Sequence, residues 1–107
     1  MTRISIDQDV VTLVNVFTVA PENQEKLLDM LVEATQSTMR HLPGYVSANF
    51  HRSLDGTKVI NYAQWRSRED FEAMLGNPEA RAHMAPITEL ATAEPHLYQV
   101  VFTDSGD

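Results

Sequence analysis

The chain contains no cysteine, few cations and no long apolar run. The absence of cysteine excludes disulfides, thiolate metal sites and thiol catalysis. Eight lysines and arginines stand against 15 aspartates and glutamates, which gives a formal net charge of −7. Nucleic acid and anionic membranes are therefore poor candidate partners, because neutralising phosphates requires clustered cations. Since no signal-type or membrane-length apolar segment is present, we expect a soluble cytoplasmic protein.

Glycine is also scarce, with four residues at positions 44, 56, 76 and 106. These positions are too far apart to form a glycine-rich phosphate-binding loop. The four histidines are scattered, no H-E-x-x-H motif occurs, and no nucleophile elbow is present. The sequence therefore predicts neither a nucleotide site nor a metal centre.

The length of 107 residues predicts a single domain, 1–107, with an ordered core at about 10–103 and a loose N-terminal segment at 1–9. Hydrophobic patterning predicts four strands and two helical regions in the order β-α-β-β-α-β. The strands are predicted at 10–19, 45–53, 58–66 and 96–103, and the helices within 20–44 and 67–91, the latter interrupted at 76–78. This order is typical of the α+β ferredoxin-like fold, an antiparallel sheet with its helices on one face.

The segment VINYAQW at 59–65 places an amide among apolar residues, on the same strand face as the chain's one tryptophan. Asp55-Gly56 between alternating runs predicts a two-residue hairpin turn. That turn places Phe50 opposite Asn61 and Val46 opposite Trp65, on a face that should lie under the helices. The opposite face, which then includes Tyr45, Tyr62 and one side of the apolar first strand, should bury against a second copy of the chain.

Asn15 lies in the first strand, which neighbours the third strand in a ferredoxin-like sheet. It shares parity with Phe17, a natural core residue, so it should share the face of Asn61. Two carboxamides and the indole of Trp65 are thus predicted to converge in an apolar pocket. A buried amide left unpaired costs about 1–3 kcal/mol, so each amide either has a local partner or awaits a ligand. The set suits a flat, polycyclic ligand that bears oxygens.

The stretch GYVSANFHRSLDGTKVINYAQW at 44–65 strongly resembles the antibiotic biosynthesis monooxygenases, in particular the small anthrone oxygenases of aromatic polyketide pathways. LVNVFTV at 13–19 resembles their first strand, and NPEARAHM at 77–84 resembles a helix of the wider family. The resemblance covers about residues 10–103. It implies a dimeric α+β barrel, in which the sheets of two subunits pack together. It also implies oxygenation of an anthrone-type ring carbon to a quinone by molecular oxygen, without flavin, haem or metal.

The same resemblance implies that Asn15, Asn61 and Trp65 are catalytic. The candidate substrate-binding residues are Phe17, Phe50, Phe71, Met74, His83 and Met84. No cofactor and no metal is expected, and the expected partners are an aromatic polyketide, molecular oxygen and a second copy of the chain. The general base is unassigned, with His83 the better-placed candidate. Certain relatives have tyrosines where Phe50 and Phe71 align and an arginine near Met84, so a proton relay through those groups is not expected here.

Two alternatives stay open at this point. Some relatives degrade haem with a first-strand asparagine and a histidine where His83 aligns, although their helical tryptophan is missing from the segment 71–74. The second alternative is a non-catalytic binding module or a quinone-stress enzyme of the same fold. In that case the strand amides would be satisfied by the chain itself.

Overall fold

The computed structural model describes residues 1–106. Its four strands form one antiparallel sheet in the order β2-β3-β1-β4, with β1 at Val11–Val19, β2 at Tyr45–Arg52, β3 at Lys58–Trp65 and β4 at Ala91–Tyr98. The helices are α1 at Gln24–Ser37, α2 at Arg68–Leu75 and α3 at Pro78–Leu90, with short 3-10 turns at Pro21–Asn23 and Met39–His41. The predicted α+β ferredoxin-like order is confirmed. Within residues 1–106, no helix is long and apolar enough to cross a membrane.

The helices cover one face of the sheet, here called the inner face; the opposite face is the outer face. Odd-numbered residues of β1 and β3 point inward, as the period of two requires. Two buried clusters form beneath the helices. The first packs Phe17 and Val59 against Leu27, Leu31 and Ile87, and the second joins Leu13, Ala63, Trp65 and Phe71.

The β2–β3 hairpin keeps the predicted register, with Phe50 opposite Asn61. Its turn is longer than predicted, because pairing stops at Ser53 and Lys58. The Asp55 carboxylate organises the turn by accepting hydrogen bonds from Thr57 Oγ1, Thr57 N and Ser53 Oγ. These bonds lower the pKa of Asp55 to about 2, and the two from Thr57 have the largest effect. The turn therefore holds the register through a side chain as well as through its glycine.

At the other end of β2 a bulge changes which residue faces inward. The register shifts between Tyr45 and Ser47, so that Tyr45 rather than Val46 lies opposite Trp65. The predictions that Val46 faces Trp65 and that Tyr45 lies on the outer face are therefore wrong. One extra residue in a strand reverses the facing of every residue beyond it. Val46 is the extra residue and is 38% exposed.

The last strand begins earlier than predicted. β4 covers Ala91–Tyr98, whereas the sequence predicted a strand at 96–103. The inward positions include Ala93 and Pro95, which lack the bulky β-branched pattern of a strand. Pro95 is accommodated because β4 is an edge strand of the sheet. Val101, which suggested a strand, lies beyond the paired residues and is 84% exposed.

The N-terminal segment, predicted to be loose, makes two hydrogen bonds to the sheet. Gln64 Nε2 donates a hydrogen bond to the carbonyl oxygen of Arg3 at 2.6 Å, and Asn49 Nδ2 donates to Thr2 Oγ1 at 2.6 Å. Both donors belong to the outer face of the β2–β3 hairpin. The segment therefore folds over part of that face and satisfies its outward-pointing amides.

Candidate active site

A cavity of about 140 Å³ lies between the inner face of the sheet and the helices. Inward residues of all four strands form its floor, and residues of all three helices form its walls. Most of the lining is apolar. Within residues 1–106, the lining side chains that carry a polar nitrogen or oxygen are Asn15, Thr35, Tyr45, Asn61 and Trp65.

The strand register arranges the floor of the cavity in rows across the sheet. Asn15 and Asn61 are direct cross-strand partners. Opposed residues of an antiparallel pair have Cβ atoms about 4.5–5.5 Å apart, so the two carboxamides lie side by side. The next row contains Ala48 and Ala63, and Trp65 lies in the row beyond it. The floor therefore carries two rows with polar groups, separated by an apolar row that also contains Leu13.

Each of the two carboxamides has an oxygen that no group of residues 1–106 hydrogen-bonds. Among residues 1–106, Asn15 Oδ1 and Asn61 Oδ1 are buried without a hydrogen bond, and the third such side-chain oxygen, Thr12 Oγ1, is on the outer face. The outward amides behave differently: Gln64 accepts from Ser47 Oγ and donates to Arg3, as described above. Because an unpaired buried amide is costly, the contrast marks the inward pair as groups that a ligand would satisfy.

Aromatic rings close the far end of the cavity. Trp65 is 3% exposed and packs edge-to-face against Tyr45, with centroids 5.8 Å apart, and against Phe71, at 6.3 Å. Phe71 belongs to α2. This helix begins at the predicted cap, where Ser67 Oγ accepts a hydrogen bond from Asp70 N at 3.1 Å. The cap thus positions one wall of the cavity.

Tyr45 is the titratable residue of the lining, and within residues 1–106 it has no companion there that ionises. Burial raises the pKa of the Tyr45 phenol above its ordinary value of 10.0, and the Arg40 guanidinium opposes that rise in part. Tyr45 is therefore a neutral hydroxyl at neutral pH. The described lining contains neither a carboxylate nor an imidazole, so it offers no side-chain base at that pH.

The structure brings together eight of the nine candidate residues. Those that line the cavity are Asn15, Phe17, Phe50, Asn61, Trp65, Phe71, Met74 and Met84. His83 is not among the lining residues; its Nε2 lies 3.2 Å from Ser37 Oγ on α1. Each helical residue is rotated by about 100° from the next, so His83 points away where Met84 points in. The geometry therefore does not support His83 as a base in this cavity.

Sequence reasoning missed several lining residues, among them Thr35, Met39, Leu75 and above all Tyr45. The helical residues line the cavity because their helices lie over its floor. Tyr45 lines it only because the bulge at Val46 turns it inward. Both residues of the pair 45–46 suit an inward position, and no local signal in the sequence says which one takes it.

An apolar cavity with facing amides, set between a ferredoxin-like sheet and its helices, is the arrangement typical of small-molecule-binding α+β proteins. The model of the antibiotic biosynthesis monooxygenase family matches residues 10–86, and the chain belongs to that family. Among its relatives, the tetracenomycin-F1 monooxygenase of Streptomyces glaucescens is 48% identical over 100 residues, which are 94% of this chain and 89% of that protein. These matches support a monooxygenase role.

Solved structures agree with this placement. SnoaB, a cofactor-independent oxygenase from Streptomyces nogalater, is 26% identical and superposes with a TM-score of 0.73, over 94% of this chain and 100% of that one. The ActVA-Orf6 monooxygenase of Streptomyces coelicolor, in complex with nanaomycin D, is 27% identical with a TM-score of 0.76, over 95% and 100% of the two chains.

Proposed function

We propose that this protein is a monooxygenase that oxidises an anthrone-type aromatic polyketide to a quinone with molecular oxygen and without a cofactor. The observation that carries the proposal is the pair of unpartnered carboxamides, Asn15 and Asn61, facing an apolar cavity. Two relatives give support. The one at 48% identity is named for tetracenomycin F1, and ActVA-Orf6 was crystallised with nanaomycin D.

The chemistry needs no electrons beyond those of the substrate. An anthrone loses a proton from its ring methylene and forms a delocalised enolate. The enolate transfers one electron to oxygen, and the radical pair recombines to a peroxide. Loss of water then leaves a ring carbonyl. The carbon loses two hydrogens and gains one oxygen atom, the other oxygen atom leaves as water, and the four electrons given up by the carbon reduce the oxygen molecule.

The cavity residues have defined tasks in this reaction. The amide N–H groups of Asn15 and Asn61 donate hydrogen bonds to the oxyanion that develops as the methylene is deprotonated, while their free Oδ1 atoms accept from phenolic hydroxyls. A preorganised donor of this kind is typically worth about 2.7–4 kcal/mol. Trp65 and Phe71 wall the ring system. The proton leaves to solvent, since no side-chain base lines the cavity within residues 1–106.

The proposal is tested by adding an anthrone to the purified, metal-free protein and following oxygen uptake and quinone absorbance. We expect one quinone to form for each oxygen molecule consumed. We expect Asn61→Ala to lower kcat/KM by about 100-fold or more, because it removes an oxyanion donor. Asn49→Ala is the matched control, since Asn49 is a strand asparagine on the outer face, bonded to Tyr62 O. An absence of oxygen uptake with the wild-type protein would reject the proposal.

We further propose that the protein acts as a homodimer joined through the outer face. That face is covered by the N-terminal segment only in part. Ile60 and Tyr98 are 37% and 51% exposed there, and Thr12 Oγ1 is buried on it without a hydrogen-bond partner among residues 1–106. An exposed apolar sheet face of this kind is typical of a surface that binds another chain.

The haem alternative is not favoured by the geometry. It required Asn15 and His83 to face the same pocket. Asn15 lines the cavity, whereas His83 lies outside it beside Ser37. The non-catalytic alternative required the strand amides to be satisfied by the chain, and Asn15 Oδ1 and Asn61 Oδ1 are not.

A further inference from the structure

Tyr45 lines the Trp65 end of the cavity and also borders a groove beside Ser47 and Gln64, and the proposed chemistry assigns its hydroxyl no task. The bulge at Val46 turns Tyr45 inward, and its ring packs against Trp65 at an interplanar angle of 86°. Within residues 1–106, the Tyr45 hydroxyl has no hydrogen-bond partner in the chain. An edge-to-face contact holds the ring in place without engaging the hydroxyl.

The hydroxyl stays protonated under ordinary conditions. Burial is the larger influence on the pKa of Tyr45 and raises it, while Arg40 lowers it by a smaller amount. A neutral phenol both donates and accepts one hydrogen bond readily. Tyr45 is thus suited to bind an oxygen of a ligand and is unsuited to act as a base near neutral pH.

The spacing of the polar groups matches an elongated ligand. Asn61 and Trp65 are four residues apart on β3, which corresponds to about 13 Å along the strand. Tyr45 lies opposite Trp65, and Asn15 lies opposite Asn61. Between the two ends lies an apolar row of Leu13, Ala63 and Ala48. A ligand that contacts both ends must therefore be elongated and apolar in the middle.

We propose that Tyr45 binds substrate by hydrogen-bonding an oxygen on the ring farthest from the ring held by Asn15 and Asn61. This rests on the proposed function and adds a binding residue to the same site. Tyr45 is accordingly a substrate-binding residue, and it sets the distance at which the second oxygen is recognised.

Binding is measured by quenching of Trp65 fluorescence, which reports on this cavity alone because the chain has one tryptophan. The two probes are anthraquinone and a dihydroxyanthraquinone that carries one hydroxyl on each outer ring. The proteins are wild type, Tyr45→Phe and the control Tyr62→Phe, which removes a hydroxyl from the outer face of the same sheet. We expect Tyr45→Phe to raise the Kd of the dihydroxy probe by about five- to tenfold, which corresponds to the loss of one hydrogen bond. The Kd of anthraquinone should change by less than about twofold.

Several results would overturn the assignment. One is equal affinity of wild type and Tyr45→Phe for the dihydroxy probe. Another is an equal loss for both probes, which would indicate altered packing. A third is a wild-type protein that binds the dihydroxy probe no better than anthraquinone. The measurement involves no oxygen, so selective binding without quinone formation from an anthrone would reject the monooxygenase proposal and still support Tyr45.

Discussion

At the scale of single residues, the amides on the two faces of the sheet differ in their hydrogen bonding. On the outer face Asn49 and Gln64 find partners in the N-terminal segment and the hairpin. On the inner face Asn15 and Asn61 leave an oxygen without a partner. Because a buried unsatisfied amide destabilises the folded state, the inner pair costs stability that a ligand bonded to these oxygens would offset.

The first prediction concerns that cost. Replacing Asn61 by leucine, Asn61→Leu, removes the unpaired amide and keeps a side chain of similar size. We expect the free energy of unfolding to rise by about 1 kcal/mol, with a rise of Tm by roughly 4–8 °C, while quinone formation falls by about 100-fold or more. Denaturant unfolding and an oxygen electrode provide the two measurements.

The outward amide supplies the control for this prediction. Asn49→Leu breaks the hydrogen bond to Tyr62 O, so it should lower stability by about 1 kcal/mol and leave the rate of quinone formation near that of the wild type. Changes of opposite sign in the two variants are the expected signature. A loss of stability in Asn61→Leu as large as that in Asn49→Leu would show that the inner amide is structural.

The inner amides were predictable because strand parity and the hairpin register depend on short, local patterns. Asn61 follows Asp55-Gly56 at a set distance, and Asn15 shares parity with Phe17. The facing of Tyr45 was not predictable, because a bulge inserts one residue without a local signal. The place of His83 outside the cavity was not predictable for a related reason: neighbouring helical positions point in different directions, and alignment alone does not resolve a rotation of about 100°.

At the scale of elements, the cavity depends on the junction between the start of β2 and the start of α2. Gly44 has a φ of 84°, in the left-handed region that favours glycine. A Cβ at this position would collide with the side chain of Asp70, whose Oδ2 accepts a hydrogen bond from Ser67 Oγ at 3.1 Å. Gly44 therefore allows the helix cap and the strand that carries Tyr45 to approach each other closely.

The second prediction tests this junction. Gly44→Ala should lower the free energy of unfolding by about 1–3 kcal/mol, because it combines a strained φ with a clash at the cap. Gly76→Ala is the matched control, since Gly76 has a φ of −92° and the nearest atom to an added Cβ is Ala73 O at 3.7 Å. Urea unfolding compares the two. Equal stability of both variants would contradict the proposed role of Gly44.

The elements themselves were largely predictable, with β4 as the main exception. β1, α1 and the hairpin show the periodicity of their structures, and Ser67 caps α2 as expected. The edge strand β4 carries alanines and Pro95 at inward positions, so its pattern is weak. Tertiary pairing with β1, rather than local propensity, determines where this strand begins.

At the scale of the whole molecule, the cavity is small for its proposed ligand. An apolar cavity of about 150 Å³ holds a benzene molecule, and this one measures about 140 Å³. A polycyclic substrate must therefore extend toward the surface or displace part of the wall. Met39, Met74 and Met84 line the cavity, and methionine side chains adapt readily to a new occupant. Leu75, which is 51% exposed, marks a place where the cavity reaches the surface.

The third prediction concerns the assembly. Light scattering should give a mass twice the 12.0 kDa of the chain. Ile60→Glu should shift the protein toward monomer, because a charge would be buried in the outer-face interface. Leu54→Glu is the control, since Leu54 lies in the hairpin turn and is fully exposed. A wild-type protein that stays monomeric at the highest measurable concentration would exclude the dimer.

The most direct test of the two amides is a crystal structure of the protein with a bound hydroxylated anthraquinone. We expect the rings to lie over Ala48 and Ala63, with ligand oxygens within about 2.7–3.2 Å of both Asn15 and Asn61. A ligand seated on the outer face, or one in the cavity whose oxygens contact neither carboxamide, would contradict the assignment of this site.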